Sequence, residues 1–136
     1  MKGRKAELRV IEGGLDHVPR CPDHIPLAMR AEWNLIMLEL SERKVMTEGM
    51  AGSVEAYIMA LSNMRTAQTS IEMHGLLVPS GREGVLKQNP AVSMLGKAQQ
   101  VVLRLSVELG LTPAARAKTM KPEKEEEDDL FSRMDF

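Results

Sequence analysis

A single cysteine, Cys21, stands in a chain of 136 residues. An intrachain disulfide is therefore excluded, and nothing points to an oxidising compartment. Aromatic side chains are almost as scarce: Trp33, Tyr57, Phe131 and Phe136 are all there are. No apolar run approaches the ~18 residues of a membrane span, and the longest candidate for the apolar part of a leader, Leu8 to Ile11, is broken by Arg9. The expectation is a soluble, intracellular protein that makes no membrane contact. Excess charge is missing too, since 18 Lys and Arg against 19 Asp and Glu leave a formal charge of -1. No global field then draws the chain to nucleic acid or membrane. Catalytic signatures are also lacking: there is no phosphate loop ending in Gly-Lys-Ser/Thr, no Gly-x-Ser-x-Gly elbow and no His-Glu-x-x-His. An enzyme needs acid, base or nucleophile placed against one another, and the reading is a non-enzymatic module without cofactor or metal.

What is there is mainly helical. Eleven methionines give an adaptable core, because Met fills irregular gaps. The longest helical pattern runs from Thr47, as its cap, to His74, with Gly75 ending it. Met50, Val54, Tyr57, Leu61, Met64 and Ile71 form one apolar stripe on it. A second strip is made of small residues, among them Gly52, Ala56, Ala60 and Ala67, which would let another backbone come close and marks a face for self-association. A solvated strip is the alternative, because Ala is also the best helix former.

Pro26 opens an earlier helix, Leu27 to about Lys44, with Met29, Trp33, Ile36, Met37 and Leu40 as its buried face and Trp33 as the main anchor. Val45 and Met46 form the short connection to the long helix, which allows an antiparallel helical hairpin or a helix-turn-helix; the hairpin is favoured, because a recognition helix would expose more long polar side chains than lie between Thr47 and Asn63. Residues 76–87 read as a short β-hairpin or an irregular loop insertion. Its Gly81 and Gly84 lack the Lys-Ser/Thr partner of a phosphate cradle. Asn89-Pro90 then predicts a cap and first turn, and the helix that follows runs to Leu109 and stops at Gly110.

The ends differ in character. Residues 1–26 form a basic, Pro/Gly-rich extended arm, 27–118 the helical core, and 119–136 an acidic tail expected to be disordered alone. Within the arm, His17, Cys21 and His24 have a spacing open to zinc, but Asp16 or Asp23 is a poor fourth ligand and a polar loop is the stronger reading. Basic side chains cluster at Lys2, Arg4, Lys5 and Arg9, and again at Arg116, Lys118 and Lys121, with Arg43 and Lys44 as a further pair. Both phenylalanines lie in the last six residues, behind the acidic run Glu123 to Asp129. Leu130, Phe131 and Phe136 are therefore candidate anchors on a partner, with folding back onto the chain's own oligomer as the equal alternative.

Taken in order, the Gly-Arg-Lys start, Ala31-Glu32-Trp33, Met46-Thr47-Glu48, Gly75-Leu76-Leu77-Val78, Asn89-Pro90-Ala91 and Leu109-Gly110-Leu111-Thr112-Pro113-Ala114-Ala115-Arg116 resemble the bacteriophage terminase small subunit, P27-like family. The similarity covers about residues 2–118. It implies a homo-oligomer, commonly a ring, that recognises double-stranded viral DNA in the host cell cytoplasm and works with a large subunit carrying ATPase and nuclease. The two basic clusters would then meet DNA and the tail the large subunit. The acidic pI departs from a simple DNA binder, although weak patches repeated around a ring gain avidity. A helical oligomeric adaptor or DNA-binding transcription regulator is the alternative.

Overall fold

The computed structural model describes residues 18–113. Pro26 precedes a 3-10 turn, Leu27–Met29, which runs on as α1, Arg30–Glu42. One face of the turn and α1 together supplies Met29, Trp33, Met37 and Leu40 to the core, with Ile36 partly buried beside them, as the sequence predicts. The helix closes in a paired-carbonyl cap. The Val45 N–H donates to Leu40 O at 3.2 Å and the Lys44 N–H to Ser41 O at 3.1 Å, with Lys44 at φ 55. Val45 and Met46, expected only to connect two helices, turn inward and become core residues.

α2, Glu48–His74, is 27 residues long, about 40 Å at 1.5 Å per residue. Thr47 holds the cap position in extended conformation, but its side chain makes no capping hydrogen bond. Val54, Ile58 and Leu61 face the α1 core. At the far end Gly75 adopts φ 85, ψ 173, a region open essentially to glycine alone. That conformation sends the chain out as a strand rather than into a left-handed turn. β1, Leu77–Pro79, and β2, Leu86–Gln88, then pair antiparallel with Val78 opposite Lys87.

Asn89 fastens this excursion to the next helix, α3, Pro90–Glu108. Its side-chain oxygen accepts from the Ala91 N–H at 3.0 Å, its amide nitrogen donates to Gly75 O at 3.0 Å, and its own N–H donates to Leu76 O at 2.8 Å. One residue thus caps α3 and ties it to the end of α2. Asn89 is only 5% exposed, the one buried polar side chain among the described residues. Gly110, at φ 67, ends α3 with the Leu111 N–H donating to Ser106 O at 2.8 Å.

The most extensive helix pairing is α2 with α3, beside the packing of α1 on α2 that the short connection at Val45 and Met46 predicts. Along the pair, Ala60 and Ala67 of α2 and Ala91, Ala98 and Leu105 of α3 are buried at seven-residue intervals. Counting equally along both helices from the Gly75 to Asn89 contact sets Ala67 level with Lys97 and Ala98, and Ala60 level with Arg104 and Leu105. Alanine in a seam permits close approach of two helix axes. Larger side chains, Trp33, Met37 and Ile58, fill the core between α1 and α2. The main core therefore gathers at the base, where α1, the first half of α2 and Leu109 meet, while the rest of α2, the β-hairpin and the start of α3 form an arm.

Replacing Asn89 with Ala is expected to cost roughly 1–2 kcal/mol, since a helix cap is lost together with a tie between elements. Asn89→Asp keeps the acceptor for Ala91 but not the donor to Gly75, so its urea midpoint should fall between those of wild type and Asn89→Ala.

Candidate interaction surfaces

Several polar contacts hold the base rigid. Arg43, at the end of α1, donates to Gly110 O at 2.8 Å and lies 3.8 Å from Glu39, strapping α1 to the end of α3. Glu32 of α1 pairs with Arg65 of α2. Beside them the Tyr57 hydroxyl has its pKa raised, chiefly by burial and further by the Glu32 charge, with Arg65 opposing. The lead-in is drawn onto this frame. Ile25 is buried in the core, the Trp33 ring N–H donates to Pro19 O at 3.4 Å, and His24 pairs with Glu55 of α2. Of the residues whose spacing allowed zinc, His24 is thus turned to Glu55, Cys21 packs against the core, and His17 lies outside the described residues. No group of three or more His, Cys, Asp or Glu among the described residues is placed to hold a metal.

Against this closed base, large apolar side chains lie bare. Leu27, Ala31, Leu35 and Leu38 follow one another at intervals of four, four and three along the outer side of α1, with Leu27 80% and Leu35 66% exposed. On α3, Met94, Leu103 and Val107 are exposed, and the hairpin adds Leu76, Leu77, Val85 and Leu86. The ridge on α1 escapes a search for a single apolar stripe. Its signal is present nonetheless, because apolar residues fall on both sides of that helix.

The small-residue strip of α2 divides in two. Ala60 and Ala67 are 8% and 4% exposed, used by the chain itself in the seam with α3. Gly52 and Ala56 are exposed, and a Cβ built on Gly52 meets nothing within 4 Å. Of the four residues, Gly52 and Ala56 are thus the two that remain at the surface. Of the basic residues singled out, Lys2, Arg4, Lys5, Arg9, Arg116, Lys118 and Lys121 lie outside the described residues, as do Leu130, Phe131 and Phe136. Arg43 is occupied by its strap, leaving the exposed Lys44 of that pair.

These features define a mainly helical domain built on one long antiparallel helix pair, with apolar faces left uncovered. A model of the family described as phage terminase, small subunit, matches residues 30–126, a span that takes in every element from α1 to α3, and the chain belongs to that family. No curated protein and no solved structure matches it significantly. Among the described residues, no helix is long and apolar enough to cross a membrane.

The divided strip makes a sharp contrast between two substitutions. Ala67→Leu overfills the seam and is expected to cost about 1–3 kcal/mol, read as a lowered urea midpoint. Ala56→Arg should leave the helical circular dichroism and the midpoint within about 0.5 kcal/mol of wild type, and alter only the sedimentation coefficient.

Proposed function

We propose that this chain is the non-catalytic, DNA-recognising small subunit of a viral DNA-packaging motor, of the P27-like kind. In this reading it assembles as a homo-oligomeric ring in the host cell cytoplasm, binds double-stranded viral DNA, and delivers it to a large ATPase and nuclease subunit whose activity it regulates. The family match over residues 30–126 carries the proposal. The uncovered leucines of α1 and the exposed Gly52 and Ala56 of α2 support self-association. Ridge and strip are different surfaces, and contact between two different surfaces repeats head to tail, which closes into rings when the rotation permits.

DNA contact is assigned to Lys2, Arg4, Lys5 and Arg9 together with Arg116, Lys118 and Lys121. The described residues support an assignment to the ends. They carry equal numbers of acidic and basic side chains, and Arg20, Arg43, Arg65 and Arg104 already face acidic partners. Phosphate contacts from flexible side chains are independent of sequence and sensitive to salt. Repeated around a ring, such weak contacts multiply through effective concentration. Leu130, Phe131 and Phe136 are assigned to the large subunit, with the acidic run before them steering the approach.

Light scattering should give a ring-sized mass for the wild type; a monomer at tens of micromolar would remove the ring from this reading. Gel shifts over a salt series should show affinity falling steeply with salt. Neutralising both basic clusters should flatten that dependence by about 0.9 in logarithmic slope for each phosphate that is no longer neutralised, and an unchanged slope would move the DNA site elsewhere. Deleting residues 123–136 should abolish capture of the large subunit in a pull-down while leaving oligomer and DNA binding intact. Full capture by the shortened chain would rule out the assigned anchors.

A further inference from the structure

The β-hairpin at the tip of the arm is incomplete as a sheet. Two strands alone are marginal in water, and a third strand or a packed face is normally needed. Here Leu77, Pro79 and Leu86 share one face by register, and Leu77 and Leu86 are 58% and 61% exposed. The two edges are not equivalent. The Ser80 N–H donates to Val85 O at 3.0 Å and the Asn89 N–H to Leu76 O at 2.8 Å. By the alternation of an antiparallel ladder, the backbone groups of Leu77 and Pro79 therefore point away from β2, and those of Leu86 and Gln88 point away from β1. Pro79 has no N–H, which blunts the outer edge of β1. The edge of β2 keeps every donor and acceptor.

Lys87 stands at the centre of that edge strand and is paired with Val78. A two-fold pairing of β2 with β2 of another copy would set Lys87 against Lys87, which opposes self-association through this edge. The same lysine favours an acidic strand. Among the described residues neither Lys87 nor Arg82 has an ion-pair partner.

We propose that the edge of β2 is a strand-addition site for residues 129–136 of the same chain. This segment, Asp129-Leu130-Phe131-Ser132-Arg133-Met134-Asp135-Phe136, has Leu130, Met134 and Phe136 on one side when extended, matched to the bare face of Leu77 and Leu86. Asp129 and Asp135 fall on the other side with Phe131 and Arg133, where Lys87 lies, so that side offers two carboxylates against one guanidinium. The connection is long enough. The described chain stops at Pro113 beside the end of α3, and the 19 residues of α3 separate that point from the hairpin by about 28 Å. Residues 114–128 span up to about 50 Å when extended. In the free protein the hairpin then holds Leu130 and Phe136, two of the anchors that the proposed function assigns to the large subunit, and the two sites compete for one segment.

The experiment is amide hydrogen exchange by NMR on the full chain and on the chain shortened by residues 123–136. Leu86 and Gln88 amides should exchange at least tenfold more slowly in the full chain, and a peptide of residues 123–136 added to the shortened chain should restore the protection. Lys87→Glu in the full chain should weaken it, with the amides of α2 and α3 reporting that the fold is unchanged. Equal exchange in the two chains would overturn the proposal. Protection that survives the deletion and grows with protein concentration would overturn it in favour of a second copy. Neither result depends on DNA binding, so failure here is distinguishable from failure of the packaging reading.

Discussion

The row of small side chains buried along α2 and α3 is the constraint from which the rest of the architecture follows. Ala60, Ala67, Ala91 and Ala98 are buried there with Leu105, so the seam is built mostly of small side chains and α2 keeps a separate face free for α1. Small side chains bury little area, however, at about 25 cal/mol per Å². The larger part of the hydrophobic stabilisation therefore comes from the base, where Trp33, Met37, Leu40, Met46, Ile58 and Leu109 are fully enclosed. Long helices, small side chains packed along the arm and large ones at the base give a domain that is firm at one end and slender at the other.

That division leaves much apolar surface outside. Contiguous bare patches on a soluble domain mark places where something else binds. The outer leucines of α1, the exposed part of the α2 strip and the hairpin are three such places in different parts of the fold. On the proposed function, a subunit that meets copies of itself, DNA and a motor protein needs several distinct surfaces, and apolar residues left outside the small core supply them.

The local signals in the sequence are readable because their chemistry is local. Asn89-Pro90 reads as a helix start because Asn supplies the acceptor and Pro gives up only an N–H that has no helical partner. Gly75 and Gly110 read as stops because few other residues tolerate positive φ. The Trp33 face follows from its period. What cannot be read is which helix α2 pairs with most extensively, since an alanine strip looks the same whether it meets the chain's own α3 or a neighbour. Val45 and Met46 escape notice as core because two adjacent apolar residues have no period to reveal them. The Arg43 strap joins parts of the chain too far apart for any local pattern to show.

The two ties that close the fold differ greatly in the length of chain they enclose. Asn89 reaches back 14 residues to Gly75, whereas Arg43 reaches 67 residues to Gly110. Closing the longer loop from an open chain costs about 1.4 kcal/mol more in entropy, since the cost grows as (3/2)RT times the logarithm of loop length. Once α2 and α3 are zipped, however, the same equal count along the two helices sets Gly110 level with Val54 of α2, about eleven residues beyond Arg43 along the shortened path. The strap then closes a short loop instead of a long one, so the Asn89 clamp at the far tip lowers the entropic cost of sealing the base.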